Sequence, residues 1–492
     1  MIRFLCCITL SIFLLLAVTT SSAMADCANP SGVAGDIVWN ETSLSPAYCN
    51  DVDWIGFPRG PEDAPDISAG FGFGCSVYGG WLYCWGNNAN ARTGLNTTTG
   101  STMVPTQVGA DSDWTDVSAG YDHACGVRSG RLYCWGSNGN YQTAQGTTSG
   151  STMVPTQVGA ATDWTAVQVG DNFSCGLRSP GALYCWGANN QGATGQGTTS
   201  GNTATPTQVG VATDWMFLGT GSYFICGGRS NGALYCWGWN QYGETGLNTT
   251  AGYTTTPTQV GTDTGWTSVA GGTYSGCGVR SGQLYCWGYN GDGATGLGTT
   301  TGNQLVPAQV GAATDWSFVD VGGVHSCGIR SGALYCWGSN GNARTGLNTI
   351  TGNQLTPAQV GTDTNWQSVS TATSSGASSS GYRGGALYSW GSNANARTGL
   401  NTTTGNQLVP ALAMGSATSC TNPVGVSGDI VFNSTHSVLQ FCDGLVWWAA
   451  GPFGDGGAGC TSPVGVAGAL TYNTTHNVMQ YCEGSDWIKI GD

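Results

Sequence analysis

From Trp114 to Gln157, short apolar runs alternate with clusters of turn-forming residues: "WTDVSAG", "HACGVRS" and "RLYCWG", then a loop of Asn, Gly and Thr, then "PTQVG". Runs of this length, rich in Val, Trp and Tyr and bounded by Gly, Ser and Asn, predict four short strands. The pattern then recurs. Trp-Gly steps at Trp85, Trp135, Trp186, Trp237, Trp287, Trp337 and Trp390 stand 50, 51, 51, 50, 50 and 53 residues apart, a period that marks a repeat architecture. Seven units of four antiparallel strands predict an all-β chain closed into a seven-bladed β-propeller, which leaves few edges open. An open solenoid is the competing arrangement, but it needs polar capping repeats, and neither the first unit nor the last looks like one.

Cysteines follow the same period. Beyond Cys6 and Cys7 they fall into neighbouring couples: Cys75 with Cys84, Cys125 with Cys134, Cys175 with Cys185, Cys226 with Cys236, Cys277 with Cys286 and Cys327 with Cys336, flanked by Cys27 with Cys49, Cys420 with Cys442 and Cys460 with Cys482. The seventh unit reads "SGYRGGALYSWG", with Ser380 and Ser389 in place of both cysteines. Joint loss is what a bridge inside one unit predicts, because losing one partner alone would leave a free thiol. Between Cys125 and Cys134, "GVRSGRLY" reads as a hairpin turning at Ser129-Gly130, with glycine supplying the positive φ of a tight turn. Counted back from Arg128 and Arg131, Cys125 faces Cys134 at a non-hydrogen-bonded site, within disulfide reach. Where the couples are one residue longer, "SPG" and "SNG" fit three-residue loops with a left-handed glycine. Zinc sites favour C-x2-4-C spacing, which these couples lack.

Shorter repeats flank the propeller. "CANPSGVAGDIVWNETSLSPAYCNDVDWIGFPRG", "CTNPVGVSGDIVFNSTHSVLQFCDGLVWWAAG" and "CTSPVGVAGALTYNTTHNVMQYCEGSDWIKIG" share a leading Cys, an aromatic-Asn turn, a second aromatic-Cys and a closing Trp. Alternation in "ALTYN", "VMQYC" and "WIKIG" predicts a three-stranded meander. Thirty or so residues bury little core, so each module is expected to depend on its bridge. The organisation expected is a signal peptide at 1–25, modules at 27–56, 420–450 and 460–491, the propeller at 65–415 and a Gly-rich linker at 451–459. The signal reading rests on an early Arg3, an apolar run and an Ala23-Met24-Ala25 cleavage site. Export, an oxidising environment and a secreted or cell-surface location follow as expectations. No later stretch is apolar and long enough to predict a membrane-spanning helix.

Composition narrows the partners. Of 492 residues only 8% are charged, and 13 Lys and Arg face 27 Asp and Glu for a net charge of -14. Nucleic-acid binding through a basic groove is a poor fit, because neutralising phosphates takes clustered Lys and Arg. With 20 Trp and 19 Tyr the chain can bury a sizeable core.

The repeats "VSAGYDHACGVRSGRLYCWGSNGN" and "VDVGGVHSCGIRSGALYCWGSNGN" resemble the RCC1-type (regulator of chromosome condensation 1) repeat, G-x-x-H…G-x-x-Y-x-W-G-x-N, over about residues 65 to 415. The resemblance implies a seven-bladed propeller, in a family that serves as nucleotide exchange factors, protein inhibitors or interaction platforms. Fold alone does not choose among these. The family's usual Gly-Gln-Leu-Gly is replaced here by "ARTGL", "GATGL" or "GETGL". The terminal modules look like hairpins of bacterial and phage surface or fibre proteins.

Candidate chemistry is sparse. His123 and His325 share one blade position with Phe73, Phe173, Phe224 and Ser275, so a packing role is expected, since phenyl rings cannot transfer protons. His436 and His476 fall at module turns and are expected to be solvated. Arg128, Arg178, Arg229, Arg280 and Arg330 follow the first cysteine by three residues; bonds to backbone carbonyls, or solvation, are expected, with a symmetric anion site the sharper alternative. Asp113, Asp163, Asp214 and Asp315 precede blade-opening tryptophans and are expected to cap strand entries. A cation-collecting ring of these carboxylates is weakened by Gly265 and Asn365 in equivalent places. Trp85 and its counterparts are expected to pack between blades. Tyr141, Trp239, Tyr242 and Tyr289 interrupt otherwise Asn/Gly-rich loops and are the candidate contact residues. Neither a sialidase-type Asp-box nor G-x-S-x-G, H-E-x-x-H or a Walker lysine is present. No catalytic, cofactor or metal residue is therefore assigned. A non-catalytic scaffold binding a protein or glycan is expected, ahead of an inhibitor of an extracellular enzyme, an exchange-factor-like regulator and a polysaccharide-acting enzyme.

Overall fold

Each Trp-Gly unit folds into one antiparallel sheet whose strands are hydrogen-bonded in chain order. The computed structural model describes residues 66–414, apart from 149, 374 and 375, and the strands of the terminal modules. The blades run Asp66–Gln107, Trp114–Gln157, Trp164–Gln208, Trp215–Gln259, Trp266–Gln309, Trp316–Gln359 and Trp366–Met414. Within a blade, the first strand lies innermost against its counterparts in neighbouring blades, and blade 7 meets blade 1 in the same way. No strand is exchanged to close the ring; each blade is continuous in sequence.

The hairpins form as their turn residues dictate. Ser129 and Gly130 take φ 45° and 71°, the pair of left-handed residues that a two-residue hairpin with native twist requires. Register then places Cys125 opposite Cys134, and the six bridged blades hold their cysteine Cα atoms 4.0–4.1 Å apart. In blade 7 the same register pairs Ser380 with Ser389. Their hydroxyls meet at 2.8 Å, so a buried hydrogen bond replaces the sulfur link. The Cys27–Cys49, Cys420–Cys442 and Cys460–Cys482 pairings lie outside the described residues, as does the signal segment.

The outer strand departs from expectation. It covers Ser151–Gln157 rather than starting at Pro155, and neighbouring apolar side chains such as Met153 and Val154 are exposed. An edge strand packed on one side needs no strict alternation, and it accepts proline because one row of its N–H groups faces outward. Val158, just past its end, is buried instead.

Tryptophan supplies the mass between blades. Trp85, Trp135, Trp186, Trp237, Trp287, Trp337 and Trp390 are all fully buried. Each blade-opening tryptophan meets the Trp-Gly ring of its own sheet edge to face, as Trp114 does Trp135 at 6.2 Å between centroids. Every Trp-Gly indole N–H also donates to a loop carbonyl of the preceding blade: Trp135 to Arg92, Trp186 to Gln142, Trp237 to Ala193, Trp287 to Glu244, Trp337 to Ala294 and Trp390 to Arg344, at 2.7–3.0 Å. Trp85 donates to Arg397 O at 3.1 Å, which joins blade 1 to blade 7. Two residues after each accepting carbonyl, glycine lets the loop touch the ring; a Cβ on Gly94 would sit 3.0 Å from Trp135. Blade 2 has Ala144 there, held at φ 56°.

The terminal segments form a separate unit of their own. Ile37–Asn40, Ser45–Cys49 and Trp54–Gly56 make the expected three-stranded meander. Leu470–Asn473, Val478–Cys482 and Trp487–Lys489 make another. Among the described residues, no helix is long and apolar enough to cross a membrane.

Blade 7 carries a direct test of the hairpin geometry. A Ser380→Cys/Ser389→Cys variant should form a seventh bridge under oxidising refolding and gain at most about 2 to 3 kcal/mol. Non-reducing peptide mapping checks it; two free thiols in the folded variant would contradict the register.

Candidate binding face

Strand direction divides the disc into two faces with different chemistry. The hairpin face carries the turns between second and third strands together with the blade entries. There Arg178, Arg229 and Arg330 pair with Asp163, Asp214 and Asp315 at 2.6–2.9 Å, and Arg128 pairs with Asp111 and Asp113. Where the blade-entry aspartate is missing, at Gly265 and Asn365, Asp263 and Asp363 take its place against Arg280 and Arg383. The guanidinium groups also lie over the blade's own aromatics, Arg280 4.1 Å from the Tyr285 centroid. These arginines therefore pair with aspartates rather than with backbone carbonyls, and the aspartates are more than simple strand caps. The register places each blade-opening Trp opposite its Arg, which brings the preceding residue within reach. Exposed pairs of this kind stabilise little, but they leave this face electrically neutral.

The innermost strands of neighbouring blades pack against one another. Asp66 accepts the Val117 N–H at 2.5 Å and Asp116 accepts the Val167 N–H at 2.6 Å, each across a blade boundary. Burial raises the Asp66 carboxyl, and burial with the neighbouring Asp66 charge holds Asp116 well above the usual carboxylate range. Asp320 similarly accepts Thr371 N–H at 2.6 Å. These carboxyls join blades, and among the described residues no cluster of His, Cys, Asp or Glu has metal-binding geometry.

The opposite face is built from the long loops after Trp-Gly and the short turns leading out of the innermost strands. One buried asparagine braces each long loop. Asn88 accepts the Thr93 N–H at 3.1 Å and donates to Thr97 O at 3.0 Å, and Asn240 does the same with Thr245 and Thr249. The loops also reach the next blade's outer strand, for example Asn248 N–H to Leu305 O and, across the ring closure, Asn401 N–H to Met103 O, both 2.9 Å.

His123 and His325 lie beneath this face, fully buried. His123 Nε2 meets Ser174 Oγ at 2.8 Å, and that hydroxyl donates to Gln142 O at 3.1 Å. The serine proton is thus committed, so the imidazole donates from Nε2. His325 forms the same chain through Ser379 to Arg344 O. Burial lowers His123 to about 3 and pushes His325 well down. Both bind blade to blade, as expected from phenylalanine at equivalent sites.

On the surface of the loop face, aromatic side chains converge. Tyr242 lies 5.3 Å from Tyr274 and 5.5 Å from Tyr289 between centroids. Trp239 lies 5.5 Å from Tyr253 and 6.3 Å from Tyr223. Three of the four expected contact residues therefore lie in two ring groups on blades 4 and 5, Trp239 with Tyr223 and Tyr253, and Tyr242 and Tyr289 with Tyr274. Tyr141 stands apart on blade 2 at φ 65°. Sequence reasoning missed Tyr223 and Tyr274, which come from the short turns rather than the long loops. Beside them a cleft of about 200 Å³ is lined by Asn140, Asn172, Asn190, Gln191, Asn202 and Tyr223. Burial and then the Asp171 charge push the Tyr223 hydroxyl up to about 12, and the neutral hydroxyl donates to Asp171.

Glu244 sits under the aromatic groups, fully buried. One carboxyl oxygen accepts the Tyr242 N–H at 2.7 Å, and the Trp239 side chain also donates to the carboxyl. Burial raises it to about 7 against weaker opposition from local N–H groups.

Family models for the "Regulator of chromosome condensation (RCC1) repeat" match this chain at residues 71–127, 129–177, 231–279 and 281–329, and, with a second model, at 114–142 and 164–193. It is a propeller of RCC1 repeats. Human WBSCR16 has a similar fold, with 17% identity, a TM-score of 0.61, and coverage of 68% of this chain and 94% of that one. Prp20p of Saccharomyces cerevisiae is also similar, with 18% identity, a TM-score of 0.55 and coverage of 63% and 80%. No curated protein matches the sequence. The RCC1-type fold suggests a binding or regulatory scaffold.

The buried titratable groups set opposite pH limits. Glu244, raised in the fold, contributes stability present below about pH 4.5 and lost as pH rises through about 7. His123, lowered in the fold, contributes stability present above about pH 6.5 and lost as pH falls towards 3. Gln142 already makes the equivalent loop bond, to Asn140 N–H at 2.7 Å. Glu244→Gln should therefore raise stability at pH 8 by on the order of 2 kcal/mol and leave it unchanged at pH 4. His123→Phe should flatten the acid limb. Denaturant titrations across pH 4–9 check both, and parallel pH profiles for variants and parent would contradict the assignment.

Proposed function

We propose that this chain is an exported, non-catalytic binding scaffold that recognises carbohydrate through its loop face. The observation carrying this reading is the adjacency of the aromatic groups on blades 4 and 5 to the carboxamide-lined cleft on blades 2 to 4. Aromatic faces suit the C–H faces of sugar rings, and carboxamides offer both donors and acceptors to hydroxyl groups. The loops are braced from below by asparagine, so the contact surface is set before a ligand arrives, which lowers the entropy cost of binding. Bridged hairpins accord with an oxidising compartment, and the leader at 1–25 supplies a route to it. Prp20p is a protein of similar fold whose reported partners are Gsp1p and histones. Export would separate this chain from partners of that kind, so a surface glycan is preferred over a nuclear protein.

Binding to an array of oligosaccharides tests the reading. Trp239→Ala and Tyr242→Ala should each weaken the bound glycan by about tenfold or more, the effect expected of one aromatic anchor, with melting temperature unchanged. Release of new reducing ends, or capture of a stoichiometric protein partner with no glycan binding, would overturn it.

A further inference from the structure

One position of the loop face is repeated in all seven blades: the residue whose backbone carbonyl accepts the next blade's indole N–H. In order these residues are Arg92, Gln142, Ala193, Glu244, Ala294, Arg344 and Arg397. Only the carbonyl bond is common to all seven. Ala193 and Ala294 accept at 3.0 and 2.9 Å, as Arg344 does at 3.0 Å. Side-chain identity here is consequently free of the requirement that closes the ring, yet three successive blades, 6, 7 and 1, carry arginine.

These arginines are placed alike. Each follows a short 3₁₀ turn, Ala89–Ala91, Gly341–Ala343 or Ala394–Ala396. In each turn an alanine sits at φ 60–62°, a left-handed position that costs a non-glycine residue. Arg344 and Arg397 anchor Nε on their own loops, to Gly341 O at 2.8 Å and Ala394 O at 3.0 Å, and the terminal nitrogens make no hydrogen bond among the described residues. Arg397 Nη2 and Arg92 Nη1 both come within 4 Å of the place a Cβ on Gly72 would occupy. Arg92 is ion-paired with Asp122 and donates to Phe71 O at 2.8 Å. Arg344 and Arg397, in contrast, are half-buried and have no ion-pair partner among the described residues, although every arginine in the corresponding place on the hairpin face has one. Burial lowers both; for Arg344 the Asp292 charge opposes this and the Arg397 charge adds to it, and for Arg397 the Arg92 charge adds repulsion. In a chain of net charge -14, two half-buried guanidinium groups with no ion pair among the described residues carry an energetic cost that the fold does not require.

We infer that Arg344 and Arg397, flanked by Arg92, form an anion-recognition site for the carboxylate or sulfate groups of an acidic polysaccharide. A planar guanidinium with free terminal nitrogens suits either group through two parallel hydrogen bonds. Polysaccharide is favoured over acidic peptide because the aromatic groups and carboxamide cleft stand on the same loop face. The inference rests on the carbohydrate-binding reading and names the charge class of its ligand.

Calorimetry with four probes tests it: oligogalacturonate for carboxylates, a heparin-derived oligosaccharide for sulfates, a neutral dextran oligosaccharide, and polyglutamate. One or both acidic sugars should bind, with affinity falling as salt rises. Arg344→Gln and Arg397→Gln should each weaken binding by about tenfold, the loss of one charge-assisted pair. Gln142 shows that the position accepts glutamine, and Arg131→Gln on the hairpin face should leave binding unchanged. Equal binding of the neutral sugar, indifference to both substitutions, or preference for polyglutamate would overturn the inference. Of these, Trp239-dependent binding of dextran unaffected by the arginine variants removes the anion site while keeping the carbohydrate reading. Binding of no oligosaccharide removes both.

Discussion

A single hydrogen bond, repeated seven times, organises this molecule: the indole N–H of each Trp-Gly tryptophan given to a loop carbonyl of the blade before it. The indole is fully buried, and in five of the seven bonds the acceptor is buried with it, so leaving either group unpaired would cost more than an exposed bond ever returns. Blades 2, 5 and 6 illustrate how far the carbonyl is used. Gln142 O, Ala294 O and Arg344 O each accept a serine hydroxyl of the next blade as well as the indole. Because Trp85 completes the set with Arg397 O, closure needs no shared strand. The same contact fixes the loops above it, and the face that meets solvent inherits the ring's regularity.

Sulfur bridges are auxiliary to this scheme. Blade 7 keeps the hairpin register with two serines and a hydrogen bond, and Tyr382 OH reaches Ser76 Oγ of blade 1 at 2.8 Å. Each bridge closes a loop of only 9 or 10 residues, within a hairpin that its turn already specifies. Charge is distributed by the same logic of faces. On the hairpin face register brings each arginine that faces a blade-opening tryptophan to an aspartate, whereas on the loop face a position that tolerates alanine is polar in three different ways: carboxamide, carboxylate and guanidinium.

Much of the fold was legible because its determinants are local. Trp-Gly spacing gave the blades, and Ser129-Gly130 gave the turn that sets Cys125 against Cys134. The ion pairs were not legible, since Asp163 and Arg178 meet only through strand register, and Asp263 substitutes for the missing aspartate from two residues further away. The outer strand was misplaced because an edge exposed on one flank carries little alternation for a pattern to reveal. Of the binding face, the irregular aromatics Trp239, Tyr242 and Tyr289 stood out against Asn and Gly. Tyr223 and Tyr274 did not, because no spacing in the chain announces that a short turn will lie beside the preceding blade's long loop. The variable residue of "ARTGL", "GATGL" and "GETGL" was visible as a departure from the repeat; its meaning required knowing that only the carbonyl bond there is common to all seven blades.

Exchange of indole protons reports on the central bond without altering the protein. In ¹⁵N-labelled chain transferred to D₂O, the indole signals of Trp85, Trp135, Trp186, Trp237, Trp287, Trp337 and Trp390 should persist as long as the slowest strand amides and disappear together with them. Loss of the Trp85 signal well ahead of the other six would show that blades 1 and 7 are not joined as described, and rapid loss of all seven would contradict the interlocked ring itself.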